Sequence, residues 1–396
     1  MKIKLLTIFS LALIVMSCER DDTASVVIND NSTTTIINGG DGGSNVVELS
    51  GVYTEDLNLE IGRDYLITGP VLMSAGTTLN IPAGLIIRAQ PVGVNAYIAI
   101  QQGAKIEANG TATNPIVMTS NATAPGSGNW GGLVICGTAP INSTADGSED
   151  TATTEVGNLS YGGNNPSDNS GSIQYLRIEY AGGAINGNAE LNGLSLYAVG
   201  DQTTVDYVQI YKGSDDGFEF FGGTVNASHL VVTDAEDDSI DWTEGYVGSL
   251  TDVYVVQNTD VSHDSAFEMD GFNTDFSNEG GYFSAPTVTN VTVIGDLDSG
   301  RAFRLRAGSR GIFSNVLITD FGRGIVIEDD EPGQATSQGV VDGDTSWTDV
   351  LFTNVESPFV ANDLENPITE ADVIFGDAAN ATGTDFATWG ANWTRD

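Results

Sequence analysis

Three short acid-rich hexapeptides hold most of the side chains in this sequence that could do chemistry. They read Asp215-Asp216-Gly217-Phe218-Glu219-Phe220, Asp237-Asp238-Ser239-Ile240-Asp241-Trp242 and Asp264-Ser265-Ala266-Phe267-Glu268-Met269. Two related segments follow, Gly300-Arg301-Ala302-Phe303-Arg304-Leu305 and Gly322-Arg323-Gly324-Ile325-Val326-Ile327, and the five starts lie 22, 27, 36 and 22 residues apart. If the copies are strands stacked in register, Glu219, Asp241, Glu268 and Arg304 form one outward ladder, with carboxylates on neighbouring strands about 4.8 Å apart. Like charges placed that way oppose one another. Three outcomes are open. The side chains splay into solvent, they share a cation such as Ca²⁺, which takes six to eight oxygen ligands, or one carboxyl keeps its proton and can act as an acid.

A second column of metal-ligand candidates is formed by the corner residues Asp215, Asp216, Asp237, Asp238 and Asp264, with Asp234, Asn258 and Asp260 on nearby turns. No calcium loop of fixed spacing is present, so a metal reading rests on stacking alone. Five basic residues, Arg301, Arg304, Arg306, Arg310 and Arg323, gather just beyond the acidic copies. They suit either compensation of the ladder by forked carboxylate pairing or recognition of an anionic sugar. The wider gap before the fourth copy leaves room for an excursion over 273–286. Phe272, Phe276 and Tyr282, with Arg306 and Arg310, are its candidate binding surface, since such loops are where a repeat scaffold carries contacts.

The elements that must position these groups are short strands. From Val47 onward, apolar runs rich in Val, Ile, Leu, Thr and aromatics alternate with Gly, Asn and Asp turns, and no long helical period occurs. A repeat of this size predicts a solenoid. Alternation along each strand then sends Phe218 and Phe220, Ile240 and Trp242, Phe267 and Met269, and Phe303 and Leu305 into a continuous core. The helical spacing of Phe386, Trp389 and Trp393 predicts a short cap over the last rung.

The start of the chain has another character. Lys2 and Lys4 precede an apolar run from Leu5 to Met16, too short to span a bilayer and suited to a secretory signal over residues 1–17. Val15-Met16-Ser17-Cys18 resembles the lipobox of bacterial lipoproteins, which makes Cys18 the lipidated first residue of the mature chain and a membrane anchor. The Glu19-Arg20-Asp21-Asp22 stretch resembles the export signal of Bacteroidetes surface lipoproteins. Residues 18–46, rich in Thr, Asn, Asp and Gly, read as a tether, and 47–396 as the folded domain.

Net charge is −40, with 54 acidic against 14 basic residues. Nucleic acid is excluded as a partner, because its binding needs clustered positive charge. Two cysteines, one of them Cys18, leave no intrachain disulfide. Cys136 lies in the run Leu133-Val134-Ile135-Cys136 and reads as a buried thiol.

The layout of Thr78 to Ile87, Gly103 to Ser120 and Asn129-Trp130-Gly131-Gly132-Leu133 resembles right-handed parallel β-helix proteins of the pectate-lyase type. With Ser172 to Gly183 and the Asp237 to Gly245 segment, it is similar to a family of Bacteroidetes surface lipoproteins. The resemblance implies an all-β, single-stranded right-handed parallel β-helix on the outer membrane, facing the cell exterior. The function expected is a non-catalytic module that holds a glycan or an outer-membrane protein partner, with Ca²⁺ as its one implied cofactor. The alternative is a lyase or hydrolase of acidic polysaccharides. Resemblance to pectate lyases would make Arg304 a base beside a Ca²⁺-bound uronate, and a hydrolase would use Glu219, Asp241 and Glu268 as acid and base. The Gly-His-Gly and Arg-Ile-Lys motifs of polygalacturonases are absent from this sequence.

Overall fold

The computed structural model describes residues 46–148, 150–186, 189–258, 262–297 and 300–396. The signal segment, Cys18, residues 18–45 of the tether and Asp260 lie outside the described residues. The chain winds into a parallel β-solenoid in which 24 strands form one continuous hydrogen-bonded assembly, each pairing with the strand one rung on. No helix among the described residues is long and apolar enough to cross a membrane.

The acid-rich copies form consecutive strands of one face: Phe218–Phe221, Ile240–Thr243, Ser265–Asp270, Arg301–Arg306 and Arg323–Glu328. Their register sets Phe218 beside Ile240, then Phe267, Phe303 and Ile325. All five are fully buried, as are Phe220, Trp242, Met269, Leu305 and Ile327 in the parallel column. Rings on adjacent rungs stack directly, Phe267 on Phe303 at 4.8 Å. At about 25 cal/mol per Å² of apolar surface, these columns supply the cohesion that a rung alone lacks.

Between site strands the chain returns through longer ones: Gly171–Glu179, Thr204–Tyr211, Ala227–Thr233, Ser249–Val256, Thr287–Ile294, Gly311–Thr319 and Thr345–Thr353. Each bends at one left-handed residue: Tyr175, Tyr207, His229, Asp252, Asn290, Asn315 and Asp349, with φ between 46° and 60°. The bends align in a column that gives every rung the same corner.

The open end is covered by Glu370–Val373 and Ile374–Phe375, with Val373 buried against the core and Ile374 paired to Trp347. The aromatic trio expected there lies elsewhere. Phe386, Trp389 and Trp393 run back along the side of the solenoid onto the bend column. Flat rings on Tyr175, Tyr207, His229 and Tyr254 offer a better apolar contact than the acidic last turn.

Candidate functional site

The outward ladder forms with Ser195, Glu219, Asp241, Glu268, Arg304 and Val326 as successive partners. Next to it run Cys136, Tyr197, Phe221 and Thr243. This neighbouring row is apolar because an excursion covers it. Residues 137–170 leave the helix after Leu133–Cys136 and pack Ile141, Val156, Leu159 and Tyr161 on Tyr197 and Phe221. Tyr197 and Phe221 stack at 3.9 Å. Cys136 is sealed in this cluster, and burial pushes its thiol up to about 12.

A second excursion, 271–286, closes against the first. Asn142 joins them, donating from Nδ2 to the carbonyls of Gly271 and Tyr282, both at 2.7 Å, while its own carbonyl accepts from Gly280 N at 2.8 Å. Gly245 sits in the junction at φ +84°, where a Cβ would meet Tyr282 at 2.6 Å and Asn142 at 2.9 Å, so no other residue fits this crossing. Beside it Glu244, 1% exposed, accepts from Tyr161 Oη at 2.8 Å and Asn273 Nδ2 at 3.3 Å. Burial raises its carboxyl to about 7, against the two hydrogen bonds and with help from the charge of Glu155.

These walls change the character of the ladder. Splaying into open water was one expected outcome, but Glu219, Asp241 and Glu268 are only partly exposed, and Asp216 and Asp238 are buried. The acidic residues then divide into two sets. In the lower set, Arg304 Nη1 lies 2.6 Å from Glu268 and its Nε 2.9 Å from Glu328. Arg306 forks onto Asp270 at 2.6 Å and Glu268 at 2.8 Å, and Arg301 holds Asp264 at 2.7 Å. Such forked, partly buried pairs are the stronger kind of ion pair.

The upper set has no such partners. Among the described residues, no Lys, Arg or His lies within ion-pair distance of Asp215, Asp216, Glu219, Asp237, Asp238 or Asp241. The hydrogen bonds here are few. Asn192 Nδ2 donates to Glu219 at 2.6 Å, and Asp238 N donates to Asp216 at 3.0 Å. Asp238 Oδ1 and Asp241 Oδ1 are buried and accept from nothing.

The electrostatic result follows. Burial, then the neighbouring carboxylates, holds Asp216, Glu219, Asp238 and Asp241 well above the usual range. Asp215 rises to about 8 by burial and then by Glu190, Asp237 and Glu155. Asp237 reaches solvent at the rim, yet partial burial and then Asp264 and Glu268 lift it to about 6.

Candidate ligand oxygens of Asp215, Asp216 and Asp237 lie within 4.8 Å of one another, as do those of Asp216, Glu219 and Asp241, and of Asp237, Asp238 and Asp264. The donor set is all oxygen, which fits a hard cation.

Other sequence candidates fall outside the recess. Asp234 is tied to Lys212 at 3.4 Å and to Asn258 Nδ2 at 2.8 Å on another corner. Phe272, 4% exposed, and Arg310, 8% exposed, are too buried to form a binding surface. Arg310 lies over the Phe283 ring at 4.7 Å and donates to the carbonyls of Gly308, Ser309 and Ala335. Arg306 is committed to Glu268 and Asp270. Phe276 and Tyr282 stay partly exposed on the second excursion. Glu155, Glu190, Asn192 and Glu244 belong to the site but to none of the repeated copies. The long interval between Cys136 and Gly171 was the only sequence signal that a wall is inserted there.

Residues 51–394 match a family described as a pectate-lyase like beta helix domain. Among solved structures, the catalytic domain of GH87 alpha-1,3-glucanase in complex with nigerose is similar at 12% identity with a TM-score of 0.29, over 86% of this chain and 64% of that one. The Dettilon tailspike protein is similar at 11% identity with a TM-score of 0.22, over 76% of this chain and 62% of that one. The chain thus spans less than two thirds of either structure. No curated protein matches the sequence.

Proposed function

The chain belongs to the family of pectate-lyase-like β-helix domains, and from that premise we propose that it is a surface binding module whose walled acidic recess takes up Ca²⁺ and, through it, a glycan or protein partner. One observation carries the reading. The same ladder that arginines saturate at Glu268 has, among the described residues, no ion pair at Glu219 or Asp241, and the buried Oδ1 atoms of Asp238 and Asp241 accept no hydrogen bond. A buried carboxylate without a counter-charge is costly, and a cation held by Asp216, Glu219, Asp241 and their neighbours would relieve several at once. Acidic or polyhydroxy sugars can complete the coordination shell of a partly exposed ion.

Chelator-treated protein titrated with Ca²⁺ in a calorimeter tests this. Heat of binding and a higher melting temperature are expected, both lost in Asp238→Asn and Asp241→Asn. Absence of heat together with an unmoved melting temperature would remove the cation. A glycan array read with and without Ca²⁺ then tests the partner.

The catalytic reading has one feature in its favour: burial and the neighbouring Glu190 and Asp237 raise Asp215 to about 8, the direction a proton donor near neutral pH needs. The lyase form is weaker, because Arg304 is held by Glu268 and Glu328 and is no base while so paired. Incubation with polygalacturonate, alginate and neutral glycans separates the two, since unsaturated products or new reducing ends would establish an enzyme.

The proposed setting is that of a Bacteroidetes-type lipoprotein, cleaved after residue 17, lipidated at Cys18, and held by its tether at the outer face of the outer membrane. The Val15-Met16-Ser17-Cys18 sequence supports it. Labelling with a palmitate analogue should mark the protein and fail with Cys18→Ala.

A further inference from the structure

The acid-bearing rungs repel one another, and on another side of the solenoid the C-terminal segment crosses the same rungs. From the last turn the chain runs back along the bend column. Asp377 N donates to Asp349 Oδ1 at 2.8 Å, and Thr382 N and Gly383 N donate to Asn315 Oδ1 at 2.6 and 2.8 Å. Thr384 takes Asp252 at 2.9 Å and Thr292 at 3.2 Å. Phe386 stacks on Tyr254 at 3.9 Å, Trp389 meets His229 at 5.0 Å, and Trp393 meets Tyr207 and Tyr175 at 5.9 and 5.8 Å. Arg395 closes the run on Glu179 at 2.9 Å, with backbone hydrogen bonds to Gln209.

The correspondence between rungs is one to one. His229 follows the strand of Glu219, Asp252 and Tyr254 follow that of Asp241, Thr292 follows that of Glu268, and Asn315 follows that of Arg304. Contacts in a solenoid are otherwise between nearest neighbours, and like charges directly opposite weaken a strand pair. A segment that meets all four rungs in series, by hydrogen bonds at Asn315, Thr292 and Asp252 and by a ring contact at His229, adds a longitudinal tie across the ladder.

We propose that the C-terminal segment from Asp377 to Arg395 is a strap that holds the four ladder rungs in register against the mutual repulsion of Glu219 and Asp241, the two acids of the ladder without an arginine. The strap positions the acidic recess without touching anything bound there. The inference stands apart from cation binding, so its test is run in chelator, and failure of either leaves the other intact.

The test is a double-mutant cycle on the full chain. Trp389→Ala is made in the native background and in one carrying Glu219→Gln and Asp241→Asn, and unfolding by denaturant is compared. Repulsion held by the strap predicts that Trp389→Ala lowers the folding equilibrium constant at least tenfold more in the native background. Amide exchange in Ile240–Thr243 should also rise in the native background alone. Equal losses in both backgrounds, within a factor of about three, would show ordinary packing and overturn the proposal. If Trp389→Ala folds only with the recess neutralised, the proposal is supported. If it folds in neither, Phe386→Leu, which keeps volume but loses the stack on Tyr254, repeats the cycle under the same criterion.

Discussion

Replacing Glu244 by Gln isolates one buried ionisation at the junction of the two excursions. The folded carboxyl titrates at about 7 against an ordinary 4.5, and each pH unit between those values is worth about 1.4 kcal/mol. Because the folded value is the higher one, the stability tied to this group is fully present below 4.5 and is lost as pH rises through 7. The full loss is about 3 kcal/mol, most of which falls between pH 5 and pH 8. The Gln side chain cannot ionise, keeps the shape, and can still accept from Tyr161. Recess carboxyls titrate in both proteins and cancel in the comparison. Urea unfolding of the wild type and Glu244→Gln, at pH 5 and pH 8, should therefore show the variant gaining about 2–3 kcal/mol relative to wild type across that interval. A difference that stays constant to within about 0.5 kcal/mol would refute the reasoning and mean that Glu244 is solvated or paired when folded.

Other perturbations probe the remaining parts of the site. Asn142→Ala should cost about 1–3 kcal/mol, since it removes one donor from each of the carbonyls of Gly271 and Tyr282, which keep Ser284 N and Asn278 Nδ2, and amide exchange should rise first in 271–286. Arg306→Leu leaves Asp270 unpaired while Arg304 still holds Glu268, and should cost roughly 3 kcal/mol at neutral pH. Part of that loss should return on acidification, because burial already holds Asp270 at about 7 even with Arg306 beside it. Cys136, fully buried with its thiol raised to about 12, should resist maleimide in the folded protein and react at the rate of unfolding. Labelling faster than unfolding would place a local opening beneath the first excursion.

Repetition makes much of the fold legible in the chain itself. The intervals between the acid-rich copies set the rungs, and alternation within each copy separates Phe218 and Phe220 from Glu219. Both are local properties of a strand, since the side-chain period is two and neighbouring copies must pair in parallel. The ladder Glu219, Asp241, Glu268, Arg304 follows from those two facts. The same logic cannot see what stands beside the ladder. The walls come from 137–170 and 271–286, which have no period, and their docking depends on single contacts such as Asn142 with Tyr282.

The amino-acid sequence by itself determined a β-solenoid, its inward aromatic columns, an outward acidic ladder and the arginines at its lower end. Only the tertiary structure decided which acids those arginines neutralise and which they leave uncompensated. It also decided that the ladder lies in a recess and that Phe386, Trp389 and Trp393 tie the rungs from the side. The physical reason is range. Strand period and rung length act between neighbours in the chain, whereas the pairing of charge joins side chains on neighbouring rungs, and the walls and the path of the strap depend on residues brought together from more than a hundred positions apart.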